Sequence, residues 1–174
     1  GVTGVQTCAL PIWLATLLCT LFGAALERRG EPVDAVFHGT FGTGDLQPGP
    51  LTVRDCWRII PYENMLVTAQ VTAAELLAIV AEDATQKDSD RTLWPFEVVA
   101  GDGGRPVALR SAGVEVPAER VLRVALNAYD AQSGGRRLMR TREILSTPGA
   151  GRRTSAIDTR SALIDGLLDL GTVG

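Results

Sequence analysis

The chain has 174 residues, and a hydrophobic content of 45% is enough for one core of ordinary size, which favours a single domain. Because 17 basic residues against 20 acidic ones leave a net charge of -3, no strong positive field attracts nucleic acid or an anionic membrane. The three cysteines form no CxxC pair and only one histidine is present, so neither a disulfide framework nor a zinc site is predicted.

The start of the chain is expected not to belong to the natural protein. Residues 2–12 read VTGVQTCALPI, which is the translation of a widely used sequencing-library adapter. A secretory signal or a membrane span fits poorly, because no lysine or arginine precedes Glu27 and Pro11 interrupts the apolar run. We therefore predict a non-native segment at 1–12 and a natural domain at 13–174, and we expect that sequence upstream of this domain has been lost.

The first half of the domain shows clear local patterns. Apolar residues at helical spacing predict a helix over 14–29, and VDAVFH at 33–38 predicts a buried strand that leads into a glycine-rich loop. Thr52 and Asp55 are spaced to cap a short helix, and Pro61 ends it.

Alternation and capping continue in the second half. Strands are predicted over 65–71 and 121–127, and a hairpin over 94–100 and 107–111. Helices are predicted after the capping pair Thr72 and Glu75 and after Asp158, whereas the segment before Asp158 is interpreted as a loop. Because helices and hairpins are interspersed without regular βαβ alternation, we expect an α+β domain with a mixed sheet.

The glycine-rich segment HGTFGTGDLQPG is a first candidate site. It lacks the GK[ST] ending of a P-loop and the GxGxxG spacing of a dinucleotide turn. Its glycines would let backbone N–H groups approach a ligand closely, but glycines also simply make turns. His38 is equally consistent with a satisfied residue at a strand end and with a functional one.

A second candidate is NAYDAQSGGRRLMR, residues 127–140. Asn127 and Tyr129 are expected on the polar side of a strand exit, followed by two glycines and three arginines. This combination suits a planar base and an anionic phosphate, although a solvated arginine-rich loop would have the same composition. Trp94 and Phe96 are expected to share one face of a strand, where core packing is the simpler interpretation and a lid over a ligand the alternative.

Taken together, these segments resemble the C-terminal domain of the 5'-nucleotidase and UDP-sugar hydrolase family. That family has a glycine-rich loop ending in a GxhT-like pattern, a PFxN motif before a strand, a helix after threonine, and a strand followed by NxF and GGD. The matching positions in this sequence are Asp45, Gly49, Thr52, Pro61, Tyr62, Asn64, Thr72, Tyr129, Gly134 and Gly135.

The resemblance implies a domain that binds the nucleoside and phosphate parts of a substrate. Hydrolysis would belong to an N-terminal metallophosphatase domain that is absent from this chain and holds two divalent metal ions. We therefore expect no catalytic and no metal-binding residue here, and a bacterial protein of the periplasm or the extracellular space. The resemblance assigns substrate binding to His38, Gly39, Thr43, Asp45, Trp94, Asn127, Tyr129, Gly134, Gly135 and Arg136.

Several positions depart from the family pattern. Thr43 replaces an arginine, His38 an asparagine, Phe41 a glycine, and Arg136 the aspartate after the paired glycines. Losing a phosphate-facing arginine removes a charge-assisted contact worth ~1.5–3 kcal/mol, which Arg136 or Arg137 could replace from across the cleft. Two alternatives therefore remain: a non-nucleotide phosphorylated substrate, or a binding or structural module without catalysis.

Overall fold

The computed structural model describes residues 10–171 of the chain. Residues 1–9 of the adapter-like segment lie outside the described residues, and residues 10–12 form the first turn of the first helix. The helices are α1 Leu10–Arg28, α2 Val53–Ile59, α3 Ala73–Asp83, α4 Ala128–Ala131, α5 Met139–Leu145 and α6 Thr159–Leu170. The strands are β1 Ala35–His38, β2 Met65–Thr72, β3 Thr92–Trp94, β4 Glu97–Ala100, β5 Pro106–Ser111, β6 Val114–Glu115, β7 Val121–Asn127 and β8 Arg153–Asp158.

A five-stranded mixed sheet organises the domain, in the order β3-β1-β7-β2-β8. The central strands β1 and β7 are parallel, with Val36 opposite Ala125, and the other pairs are antiparallel. A smaller antiparallel sheet contains β4, β5 and β6. The predicted α+β class with a mixed sheet is therefore confirmed.

The large sheet has an apolar core on each of its two faces. The alternation of residues along β7 between the two faces predicts this arrangement. Leu122 and Val124 face the core that includes residues of α3, α5 and the small sheet. Ala125, which follows them in the alternation, faces the core built with α1, α2 and α6. Within residues 10–171, no helix combines the length and apolarity that crossing a bilayer requires.

The predicted helix starts are confirmed by their hydrogen bonds. The backbone N–H of Thr72 donates to Glu75 at 2.7 Å and that of Glu75 to the Thr72 hydroxyl at 3.2 Å, which completes a capping box. Thr52 and Asp55 form the same box on α2. The Asp158 carboxylate caps α6 by accepting from the backbone N–H of Ser161 at 2.9 Å.

Two parts of the predicted organisation are wrong. Trp94 and Phe96 do not share a strand face, because the chain leaves the large sheet at the cis peptide before Pro95 and enters the small sheet. Trp94 packs with one core and Phe96 with the other. The polar segment 153–158, interpreted as part of a loop, forms β8 at the sheet edge.

Candidate functional site

The strand directions bring polar residues from distant parts of the chain to one edge of the large sheet. β1 ends at His38 and β7 ends at Asn127 on this edge, because the two strands are parallel. The antiparallel strands β3 and β2 begin there, directly after Arg91 and Asn64. We call this region the polar edge and define it by His38, Asn64, Arg91, Asn127 and Asp130.

A buried ion cluster lies at the centre of the polar edge. The Arg91 guanidinium donates to Asp130 through two nitrogens, at 2.7 Å and 2.9 Å, and to Asp83 at 3.0 Å. All three side chains are almost completely shielded from solvent. Burial raises the pKa of the Asp83 carboxyl, and the hydrogen bond from Ser89 and the charge of Arg91 partly oppose this rise.

Asn127 connects β7 to α4 and to Asn64 through its side-chain hydrogen bonds. Its Oδ1 accepts from the backbone N–H of Asp130 at 2.9 Å, so Asn127 caps α4, and its Nδ2 donates to the Asp130 carboxylate at 2.9 Å. Asn64 Nδ2 donates to the same Oδ1 at 3.5 Å. The side chain is fully buried, and its polar atoms are used within the chain.

Tyr129 lies in the first turn of α4, and not in the extended segment after β7 where it was predicted. As predicted, its ring reaches solvent. Its side chain is 44% exposed, and its backbone N–H donates to Asn64 Oδ1 at 3.1 Å. Its hydroxyl lies over Gly135, where an added Cβ would stand 2.5 Å from Tyr129 Oη. Gly134 and Gly135 have φ values of +53° and +68°, and exposed Arg136 follows at +72°. The structure therefore brings Tyr129, Gly135 and Arg136 together.

His38 is enclosed by aromatic rings. The imidazole makes edge contacts with Phe22 and Phe41 at centroid distances of 4.9 Å and 5.1 Å, and its Nδ1 bonds the carbonyl of Gly39. Burial lowers the pKa of His38 from 6.5 to about 4, which the charge of Asp130 only partly opposes. The ring is neutral at physiological pH, and its environment is that of a satisfied residue at a strand end.

The glycines of the loop after β1 allow close packing against other backbone. A Cβ at Gly42 would collide with the Arg58 carbonyl, and a Cβ at Gly44 would lie 2.6 Å from the same peptide group. The backbone N–H of Thr40 donates to both oxygens of Asp90, at 3.0 Å and 3.1 Å. These contacts favour the interpretation of the glycines as packing residues.

Thr43 and Asp45 lie farther along the same loop. Thr43 is exposed, whereas Asp45 is half-buried and accepts from the backbone N–H of Leu46 at 2.8 Å. Gly39, at the start of the loop, is buried against Asp90 and Arg91. Of the predicted residues in this loop, Thr43 therefore presents the most accessible polar side chain.

A recess of about 280 Å³ opens beside this loop. Its walls come from the loop after β1, the segment between α3 and β3, and Arg137; they are Thr40, Phe41, Gly42, Gln86, Lys87, Asp88, Ser89, Asp90, Arg91 and Arg137. The Arg91 guanidinium lies 5.2 Å from the centroid of the Phe41 ring. The recess thus borders the ion cluster from the solvent side.

Trp94 is not brought to the polar edge. It pairs with Val36, toward the other end of β1, and its indole lies against Gly23 of α1, where an added Cβ would be 3.3 Å away. Tyr62 was not among the predicted site residues, although it is 63% exposed and lies two residues before Asn64. The signal was present in the PYEN segment, where Tyr62 occupies the aromatic position of the matched motif.

A metal centre does not fit the described side chains. Within the part of the chain that the structure describes, no group of three or more His, Cys, Asp or Glu side chains could hold an ion. The thiol of Cys19 is deeply buried beside the carbonyls of His38 and Thr92, and burial raises its pKa to about 12. This thiol is therefore protonated at physiological pH and packs as a small apolar group.

Neither protein-family models nor curated protein sequences gave a match to the chain. Solved structures did match. A 5'-nucleotidase precursor from Thermus thermophilus aligns with a TM-score of 0.77 and 20% identity, covering 92% of this chain and 33% of that one. A protein assigned as a 5'-nucleotidase from Staphylococcus aureus, in complex with alpha-ketoglutarate, aligns at 0.72 and 16%, covering 95% and 36%.

The NAD nucleotidase of Haemophilus influenzae aligns with a TM-score of 0.62 and 15% identity, covering 92% of this chain and 29% of its own. The chain thus spans about a third of the length of these structures. At identities this low, the likeness shows the fold and leaves activity and substrate to be argued from the site. The fold of this chain is that of the C-terminal domain of 5'-nucleotidases.

Proposed function

We propose that this chain is the substrate-binding domain of a two-domain metallophosphoesterase that hydrolyses nucleotides or related phosphate esters. The observation that carries the proposal is the fold, which matches 5'-nucleotidase structures over more than nine-tenths of the chain. The two divalent metal ions and the nucleophile would belong to an N-terminal metallophosphatase domain outside this chain. By itself the chain would bind the substrate without reacting with it.

Tyr62 and Tyr129 are the proposed base-binding aromatics. Both rings are exposed, and Asn64 connects them, because it lies two residues after Tyr62 and accepts a hydrogen bond from the Tyr129 backbone. Exposed aromatic faces stack on bases of any sequence, typically for ~1–3 kcal/mol per base. We assign the second stacking position to Tyr62 in place of Trp94, because the Trp94 indole packs against α1.

The phosphate-binding groups are proposed to come from the segment after Gly135 and from the loop after β1. Arg136 is exposed and follows Gly135, which lies beneath the Tyr129 hydroxyl. Thr43 offers an exposed hydroxyl from the loop after β1. A guanidinium at this position suits a phosphate because it can donate two parallel hydrogen bonds.

A non-nucleotide phosphorylated substrate is the second candidate. It is favoured by Thr43 and buried His38, since neither supplies the charged or exposed amide group that the resembled loop would bring to a nucleotide phosphate. We also propose a bacterial source and a periplasmic or extracellular location, because one bacterial neighbour is described as a precursor.

The test is a titration of the ¹⁵N-labelled chain followed by NMR, with AMP, adenosine, UDP-glucose and glucose 6-phosphate as separate ligands. We expect AMP and adenosine to shift resonances of residues 62–64 and 128–137. Shifts with glucose 6-phosphate alone would support the second candidate. If none of the four ligands shifts any resonance, the chain is better explained as a structural module that binds no such ligand.

The coding sequence upstream of this domain gives an independent test. The proposal requires a preceding metallophosphatase domain rich in aspartate, histidine and asparagine metal ligands. An unrelated or absent upstream domain in the intact gene would contradict the two-domain assignment.

A further inference from the structure

Arg91 lies outside every motif that the sequence suggests, yet it joins α3, α4 and the segment before β3. Its Nε and Nη2 donate to the two oxygens of Asp130 at 2.9 Å and 2.7 Å, and its Nη1 donates to Asp83 at 3.0 Å. A planar guanidinium bound to both oxygens of one carboxylate fixes its orientation as well as its distance. The position of Asp130 is therefore coupled to the segment before β3.

Asp130 in turn anchors the segment from which the exposed binding groups project. It lies in α4, which has four residues and is too short to be stable without tertiary contacts. Its carboxylate is fully buried, and an added Cβ at Gly134 would lie 3.3 Å from its Oδ1. Tyr129 immediately precedes it, so the orientation of this exposed ring depends on where Asp130 is held.

Only the Arg91 side of the pair borders the recess. Arg91 lines the recess beside Phe41, while Asp130 lies behind it and has no exposed surface. If the guanidinium were removed, a buried carboxylate would lose its compensating charge, and the local backbone would have to rearrange or take up water. A small cation of the right shape could enter through the recess and take its place.

We propose that Arg91 and Asp130 form a positioning pair that orients Tyr129 and the Gly134–Gly135 turn for ligand binding. This inference rests on the proposed function, because the proposed function supplies the identity of the ligand. The orientation of residues 128–137, however, can be measured without any ligand, so the two can fail separately.

The binding experiment compares Arg91→Ala with Arg28→Ala, a control that removes an exposed arginine paired with Asp169 at 3.3 Å. We expect Arg91→Ala to weaken adenosine binding about tenfold or more and Arg28→Ala to leave it unchanged. Millimolar methylguanidinium should restore most of the affinity of Arg91→Ala, whereas methylammonium should not, because only the planar fork reaches both carboxylate oxygens.

The ligand-free experiment is amide hydrogen exchange. In Arg91→Ala, exchange of residues 128–137 should rise about tenfold or more relative to β2, and methylguanidinium should reverse the rise. If the wild-type chain binds no nucleoside while this local effect is present, the proposed function fails and the positioning pair stands. A rise spread evenly over the molecule, or equal rescue by methylammonium, would overturn the inference. Where the wild-type chain binds adenosine, an unchanged adenosine affinity in Arg91→Ala would overturn it as well.

Asp130→Asn replaces Arg91→Ala if the latter does not fold. It is nearly isosteric and keeps the backbone hydrogen bond from residue 130 to Asn127 Oδ1, but it removes the negative charge and replaces one of the two acceptor oxygens with an NH₂ donor. We expect the same local increase in exchange without any effect of methylguanidinium. Unchanged exchange and unchanged adenosine affinity in Asp130→Asn would overturn the inference.

Discussion

His38 shows what complete burial does to a titratable side chain at the end of a strand. The ring is surrounded by Phe22 and Phe41 and bonds the carbonyl of Gly39, and burial lowers its pKa to about 4. An imidazole that stays neutral across the physiological range contributes shape and one hydrogen bond here. Within the polar edge, positive charge therefore comes from Arg91, and Lys87 and Arg137 add to it in the walls of the adjoining recess.

The burial of His38 predicts a defined pH dependence of stability. The folded pKa lies below the unfolded value, so the unfolded chain binds a proton that the folded protein excludes, and stability falls as the pH falls from 6.5 towards about 4. The expected slope is up to about 1.4 kcal/mol per pH unit. His38 is the only histidine, and the comparison with His38→Gln in urea unfolding between about pH 5.5 and pH 7 separates its effect from that of the carboxyls of Asp83 and Asp90, whose pKa values are raised by burial. The slope should flatten in His38→Gln, and an equal slope in that variant would contradict the assignment.

Tyr129 is the residue at which the proposed ligand site is most directly tested. Tyr129→Ala should weaken adenosine binding by ~1–3 kcal/mol because it removes the stacking surface. Tyr129→Phe keeps the ring and should be nearly silent, as measured by NMR titration at high ligand concentration. An equal loss in both variants would show that the hydroxyl over Gly135, and not the ring, makes the contact.

Arg136 should affect a different property of binding. Arg136→Ala removes an exposed charge beside Gly135, so the affinity for AMP should fall and become less sensitive to salt, while adenosine binding should change little. Titrations of both ligands at low and high salt measure this difference. If AMP keeps its full salt dependence in the variant, Arg136 does not face the phosphate.

At the scale of elements, the loop after β1 is held by its close approach to the last turn of α2. The backbone N–H of Gly44 donates to the Arg58 carbonyl at 3.1 Å, and neither Gly42 nor Gly44 has room for a side chain there. The glycines that suggested a ligand cradle thus fix the path of the loop. That path determines where Thr43 reaches the surface.

Gly42→Ala should destabilise the domain by about 1–3 kcal/mol, because the added methyl group forces the loop away from α2. Gly149→Ala is the matched control, since a Cβ at Gly149 meets nothing within 4 Å. Its effect should stay within about 0.5 kcal/mol. Urea unfolding of the two variants measures the difference, and equal effects would show that the loop is free to move.

The elements with local signals were predictable from sequence. The capping pairs at Thr52, Thr72 and Asp158 depend on residues three positions apart, and the two faces of β7 follow from its alternation. β8 was missed because its inward positions include polar Ser155, so the strand has no clear apolar alternation. Its register is set by β2, which the local sequence does not encode.

The candidate site was predictable only in part, because its central contacts join distant segments. The exposed Tyr129 and the paired glycines followed from their motif. The role of Arg91 could not follow from sequence, since its partners lie 8 and 39 positions away and its neighbours form no pattern. Tyr62, which we propose as the second stacking ring, lies in a matched motif but is not predicted as a site residue, because Trp94 is the residue predicted for that role.

At the scale of the whole molecule, the proposed ligand surface belongs to a chain whose described residues include no cluster of metal ligands. With added Mn²⁺ or Zn²⁺, we expect no hydrolysis of AMP or of p-nitrophenyl phosphate, because the metal-bound nucleophile would lie in another domain. Phosphate release measured with and without EDTA provides the test. Metal-dependent turnover that disappears in His38→Ala would contradict the proposal that hydrolysis belongs to a separate N-terminal domain.

The parallel pairing of β1 with β7 makes the first part of the chain dependent on the last part during synthesis. β1 has only β3 and β7 as neighbours in the sheet, and both follow it by more than fifty residues. While α1 and β1 emerge from the ribosome, their apolar surfaces have no sheet to cover, and closing such long loops is slow. The apolar Leu14–Leu26 face of α1 therefore stays uncovered until β7 and α6 have been translated, which lengthens the interval in which the nascent chain is prone to aggregate.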